Sequence, residues 1–404
     1  MSWIATPVAA VAATPAHYDM KMKFDVATGR VTATVTITLP DGGGEADFVI
    51  GDRFKLERVD AGKSVKVDIM AADKPMPHLN RIVVHFPARM AGARQVRFYY
   101  SGPLNQSGDD EPAVSPQRIE LNVESMWLPM REDLGMLFTV DADISGLPEN
   151  LVVIPQGTFK RNGDRLHIHR DTLDEDVLID GAVGLTLVKG PDVDFYAADQ
   201  ADPLVAMLRK HAFGAAAFYH RLYGPPDPGP VKMVIVPRAG GAGYARRSFV
   251  VMPTFRKMGD PPPAFDESSP ARFVSHEFRH AWKQNIAGVD YDSYWLSESV
   301  AEYFALRYVQ QAIGAAEMDA MLARKRKAAE GAGPLIGAGH KPSGAALYQK
   351  GPLLLFELER RIGRPALDRV LLGAHPPLST GVFLEALAKV AGAEVARDFE
   401  GKLK

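Results

Sequence analysis

Residues 269–285 read SPARFVSHEFRHAWKQN. Ser269 is a good helix N-cap, and Pro270 suits the first helical position, where its missing N–H costs nothing. On such a helix His276 and His280 are four residues apart and project from one face. Their imidazole nitrogens can then converge on one ion. Glu277 lies beside them, near enough to take a proton from a metal-held water but not to complete a tight ligand set. This is the His-Glu-x-x-His logic of a zinc hydrolase. A catalytic zinc wants a third protein ligand and an open fourth position. Residues 294–304 (YWLSESVAEYF) supply a candidate in Glu298, with 17 residues between it and His280. That interval allows one turn of helix, a loop through Gly288 and the return of a second helix. Glu302, one turn further on, can also face the metal and ranks below Glu298.

Composition agrees with a metal held this way. The 404 residues contain no cysteine, so histidines and carboxylates must bind any transition metal. The same absence excludes a disulfide framework and a thiolate nucleophile, and it is compatible with cytoplasm or bacterial periplasm alike. Lysine plus arginine is 47 and aspartate plus glutamate 49, a balance that argues against non-specific nucleic-acid binding. No apolar run reaches the ~18 residues of a transmembrane helix. Residues 1–16 (MSWIATPVAAVAATPA) read as a disordered tail or linker. They lack the basic start of a secretory signal, since the first lysine is Lys21.

Upstream of the helix the texture is that of strands. His17–Phe24 alternates, turns at Ala27-Thr28-Gly29 and alternates again over Val31–Leu39. Further β-rich runs are Arg81–Phe86, Gln95–Tyr100, Leu137–Ile144, Leu151–Ile154, Arg165–His169 and Ala182–Val188. Short turn-separated strands of this kind predict an antiparallel sandwich or saddle. From Asp202 to Tyr223 the apolar spacing becomes helical. Two strands follow, Val231–Val236 and Ser248–Met252, and after Pro261-Pro262-Pro263 the chain reads as helical to its end. The expected division is a tail at 1–16, a β domain at 17–195 and a mostly helical zinc catalytic domain at 196–404.

Three blocks resemble the gluzincin metallopeptidases of the aminopeptidase N and leukotriene hydrolase family. His276-Glu277-Phe278-Arg279-His280 followed by Trp295-Leu296-Ser297-Glu298 is similar to that family's HExxH and WLNEG segments. Trp282 and Asn285 match residues after the first motif. Leu347-Tyr348-Gln349-Lys350-Gly351 is similar to the family's Tyr-Glu-Lys-Gly. The resemblance implies a thermolysin-like catalytic domain behind a β domain and one zinc per chain on His276, His280 and Glu298. It further implies Glu277 as general base, Tyr348 as oxyanion donor, Asp292 as an acid orienting a ligand histidine, and a peptide substrate. Glycyl-aminopeptidase-like gluzincins share the same helices.

The departures are informative. The interval is 17 residues rather than 18, and the family's large C-terminal helical domain has no counterpart in these 404 residues. The Gly-x-Met-Glu-Asn segment is replaced by Gly240-Gly241-Ala242-Gly243-Tyr244-Ala245. Gly241, Ala242 and Gly243 can still present a strand edge to a peptide, but the amine-binding glutamate is gone. Glu120, with Glu124 second, is the candidate acid before Leu128-Pro129. Two rival readings are a binding protein on a retired peptidase scaffold and an epoxide hydrolase. His167 and His169 share a strand face and read as surface residues. Arg324-Lys325-Arg326-Lys327 reads as a solvated helix face.

Overall fold

The structure, a computed structural model, describes residues 15–404 apart from 41–43, 64, 73–77, 88–92, 107–111, 133–135, 257–259, 261–265, 283–290 and 374–378. Asn285, Gly288, the three consecutive prolines and nearly all of the expected tail therefore lie outside the described residues. The chain forms two compact units. The first comprises 1–112, 122–148 and 157–177; the second comprises 113–121, 149–156 and 178–404. Between residues 112 and 178 four segments alternate between the units, two of them, 113–121 and 149–156, belonging to the second.

In the first unit the alternation seen in the sequence becomes a seven-stranded sheet. Along Ala16–Asp25 the side chains of Tyr18, Met20, Met22 and Phe24 are buried, while Asp19, Lys21 and Lys23 face outward or lie at the margin. In spatial order the strands are Thr158–Asn162, Arg165–Asp174, Phe138–Ser145, Ala16–Asp25, Arg30–Leu39, Arg94–Pro103 and Lys55–Asp60. All neighbours are antiparallel except Ala16–Asp25 with Phe138–Ser145, which run parallel. The sheet is therefore antiparallel, as the sequence leads one to expect, with one parallel pair at its centre. A four-stranded sheet, Met130–Arg131, Gly44–Gly51, Leu79–Phe86 and Lys66–Ala71, completes the unit.

The second unit holds two sheets and the helices. One sheet has the order Leu151–Pro155, Ile179–Val183, Arg118–Leu121, Val114–Ser115. The other has the order Thr186–Lys189, Val193–Ala197, Val231–Val236, Phe249–Pro253, Tyr244–Arg246. The single strand expected over Ala182–Val188 is in fact two strands in different sheets. Gly184, at φ +78°, makes the turn between them, a conformation that costs glycine little. Val193–Ala197, Val231–Val236 and Phe249–Pro253 are parallel, so the connection between the first two is a helix. That helix is α1 (Pro203–Tyr223), capped by Asp202, whose carboxylate accepts the N–H groups of Leu204 and Val205 at 2.9 and 3.1 Å.

The remaining helices are α2 (Ser268–Trp282), α3 (Trp295–Ala312), α4 (Ala315–Ala328), α5 (Gly351–Ile362), α6 (Arg364–Gly373), α7 (Thr380–Ala391) and α8 (Ala393–Leu403). A π-helical turn, Ala346–Lys350, leads directly into α5. α2 starts earlier than Ser269, because the Asp266 carboxylate accepts the Ser269 N–H at 2.8 Å. α2 and α3 are both buried on most sides and pack against each other. They are the two walls of the site.

Candidate metal centre

α2 places Arg272, His276 and His280 at successive four-residue steps, so the three side chains form one ladder. α3 places Glu298 and Glu302 the same way opposite them. Three donor atoms meet between the helices. His276 Nε2 is 3.1 Å from His280 Nε2 and 3.3 Å from Glu298 Oε2, and His280 Nε2 is 3.6 Å from that same oxygen. Tetrahedral zinc with bonds of ~2.0–2.1 Å holds its donor atoms about 3.3–3.4 Å apart. The three separations bracket that value, so the residues present fit the ion. Among the described residues this is the only group of three or more histidines and acids with that convergence.

Glu302 belongs to the support of the site rather than to the donor set. Its Oε2 lies 3.0 Å from His276 Nδ1, the nitrogen facing away from the other donors. A proton on Nδ1 donated to Glu302 leaves the Nε2 lone pair for a metal. Glu302 is fully buried, and three cationic or donor groups satisfy it. Arg272 donates to both carboxylate oxygens at 3.0 and 2.9 Å, and Lys325 Nζ is 2.6 Å from Oε1. Burial works to raise its pKa, but Arg272, His276 and Lys325 outweigh burial and hold the carboxyl well below the usual range. Glu298 is likewise held low against its burial, chiefly by His280 and His276. Burial disfavours a charged His276, yet the carboxylates of Glu298 and Glu302 push its pKa up. The field that favours a proton there also favours a divalent cation.

The orienting acid expected at Asp292 is corrected to Glu302. The Asp292 carboxylate accepts the Gly337 N–H at 2.7 Å, and its backbone carbonyl accepts the Thr380 hydroxyl. It fastens a loop and a helix start. His280 Nδ1 has the Ser297 hydroxyl 3.4 Å away. Lys325 departs from the solvated face expected of Arg324–Lys327. Arg324, Arg326 and Lys327 are exposed, but Lys325 is buried. The signal was its spacing of three, four and seven from Leu322, Met321 and Met318, which puts it on the apolar stripe of α4.

Glu277 is buried on α2, and that burial pushes its carboxyl up. His276 and His280 pull it back, Glu298 raises it further, and Arg246 lowers it. A carboxyl balanced in this way is suited to accepting and returning a proton. Tyr348 stands on the π turn with its ring centroid 5.8 Å from that of His276. The residue is exposed at its margin, but partial desolvation, then the Glu298 carboxylate, then Tyr294 and Glu277 push its phenol up, so it stays a donor at neutral pH.

On the substrate-binding candidates the structure is specific. Gly241, Ala242 and Gly243 lead into Tyr244–Arg246, the edge strand of the five-stranded sheet, which packs on α2. Arg238 holds this loop by donating to the carbonyls of Gly240 and Ala242. A Cβ on Gly243 would lie 2.8 Å from the Val251 carbonyl, so the loop needs glycine there. Glu120 is buried, with its Oε2 3.1 Å from Arg238 Nε and 3.6 Å from an Arg118 nitrogen. It pairs with arginines rather than standing ready for an amine. Glu124 is exposed on a short turn of the first unit.

No protein-family model matches the sequence, and no curated protein matches it. Solved structures do match the fold. A point mutant of a two-domain M1 zinc metallopeptidase bound to L-arginine aligns with a TM-score of 0.71 at 17% identity, covering 96% of this chain and 93% of that one. A mutant of the M1 zinc metallopeptidase from Deinococcus radiodurans, bound to the substrate Tyr-Ser-Ala, aligns at 0.67 and 17% identity with the same coverage. Leukotriene A4 hydrolase from Saccharomyces cerevisiae aligns at 0.70 and 14% identity, covering 96% of this chain and 67% of that one. The chain therefore has the fold of the M1 gluzincins, a β unit together with a mostly helical unit.

Proposed function

We propose that the chain is a zinc-dependent, aminopeptidase-like hydrolase of peptide bonds. The observation that carries this reading is the set of three donor separations, 3.1, 3.3 and 3.6 Å, with Glu277 beside them on the same helix. His276, His280 and Glu298 would hold one zinc per chain. When bound, zinc supplies Lewis acidity that brings the pKa of a water towards ~7. Glu277 takes the proton that a water gives up and returns it to the departing amine. The Tyr348 hydroxyl donates a hydrogen bond to the carbonyl oxygen as negative charge builds there. Glu302, fixed by Arg272, keeps the His276 ring in one orientation and one tautomer. The edge strand Tyr244–Arg246 offers backbone groups to an extended peptide. With Glu120 engaged by Arg238 and Arg118, selection for a free amine is weak, and an acetylated tripeptide is a substrate alongside its free counterpart.

The test is Glu277→Gln, assayed on that pair of tripeptides. Turnover should fall to background while zinc content and fold stay unchanged, because the amide keeps the shape and cannot take the proton. Near-normal turnover in Glu277→Gln rejects the mechanism. Zinc binding by a wild-type protein that cleaves nothing favours a binding role on this scaffold instead.

A further inference from the structure

The proposed chemistry asks Tyr348 to stand in one place, and the backbone that carries it is irregular. In the π turn Ala346–Lys350 the hydrogen-bond ladder is widened, so carbonyls there look for partners outside the helix. Two consecutive carbonyls find them on different helices. Ser299 of α3 donates its hydroxyl to the Leu347 carbonyl at 2.7 Å, and Gly351 lets the turn approach Ser299 closely. Lys325 of α4 donates its ammonium to the Tyr348 carbonyl at 2.8 Å.

Lys325 is an unusual residue to find there. Met318, Met321 and Leu322 fill the rest of its stripe, where an unpaired ammonium would be costly. An ammonium has three donors, and all three have acceptors: Glu302 Oε1 at 2.6 Å, the Tyr348 carbonyl at 2.8 Å and Gln349 Oε1 at 3.3 Å. The Glu302 end is over-supplied, since Arg272 already holds both carboxylate oxygens. Among the described residues, Lys325 is the one cation hydrogen-bonded to the Tyr348 carbonyl. We infer that Lys325 is a positioning residue: it links the support of His276 to the turn that carries Tyr348, and so holds the Tyr348 hydroxyl at the metal centre. This rests on the reading of Tyr348 as oxyanion donor.

A double-mutant cycle with zinc-loaded protein tests it. Removing one partner of a buried ion pair is destabilising when it leaves the other charge unpaired; Glu302 keeps Arg272 on both carboxylate oxygens, so Lys325→Met should fold. A reacting group displaced by ~1 Å can cost about 100-fold. Lys325→Met should therefore lower kcat by roughly 10- to 100-fold with KM little changed and zinc retained. In a Tyr348→Phe background the same substitution should have almost no further effect. Lys325→Gln, which keeps one donor for the carbonyl, should recover part of the loss. A full Lys325→Met effect that persists in Tyr348→Phe overturns the proposal. Normal turnover in Tyr348→Phe alone would reject the reading of Tyr348 instead. A crystal structure of Lys325→Met gives a readout independent of turnover: the Tyr348 ring should leave its place beside His276, and a ring that has not moved overturns the proposal.

Discussion

His167 and His169 stand two residues apart on a strand of the first unit; His276 and His280 stand four apart on a helix of the second. Both pairs face carboxylates. On the strand the cross-strand register gives each histidine its own acid. His167 Nδ1 is 2.9 Å from Asp143, and His169 Nδ1 is 2.7 Å from Asp141. Both rings are about half exposed, so water competes for every partner. On the helix the two rings share one carboxylate oxygen in a largely buried space, and a further carboxylate holds the first ring from behind. Two histidines near acids are common; a metal centre needs donors that converge, little water, and a second layer that fixes the rings.

The comparison can be broken most severely at that second layer. Glu302→Gln keeps the volume of the side chain and removes its charge. It should weaken zinc binding about 10- to 100-fold, the usual consequence of losing a ligand's orienting partner. Competition with a chelator measures it, and unchanged affinity would mean that His276 needs no support from α3.

On the strand the expected effect is small. His167→Ala together with His169→Ala should leave zinc content and peptide turnover as they are. Asp141 raises the His169 pKa, first by its hydrogen bond and then by its charge. A raised folded-state pKa stabilises most below the unfolded value of ~6.5, and that contribution fades as pH rises through the folded value. Thermal scans should show the wild type and the double variant drawing slightly closer between mildly acidic and alkaline pH. Loss of zinc from the double variant would show that the strand pair had been misjudged.

The same contrast shows how much of the molecule was legible in the sequence. Much of what depends on local spacing was readable. Period-two alternation marked Ala16–Asp25 and Arg30–Leu39, and the four-residue step on α2 placed the two histidines and Glu277. Glu298 was reachable because its distance from His280 suits an adjacent returning helix. The support of the site was hidden, because its members come from α2, α3 and α4 and meet only after packing. Asp292 looked like the orienting acid from its place in the sequence, while Glu302 was ranked as a spare ligand. Lys325 was concealed within Arg324–Lys327, where composition speaks for solvent and only the apolar stripe speaks for burial. The strand break at Gly184 was invisible for a related reason: the residues on both sides suit strands, and only the two different sheets separate them.

The most direct test is the zinc content of purified wild type and of His280→Ala, determined by elemental analysis alongside circular dichroism. One zinc per chain is expected in the wild type. Little or none is expected in the variant, with its secondary structure unchanged, because a carboxylate and one histidine are too few ligands to retain the ion. Full zinc stoichiometry in His280→Ala would contradict the assignment of the centre to His276, His280 and Glu298.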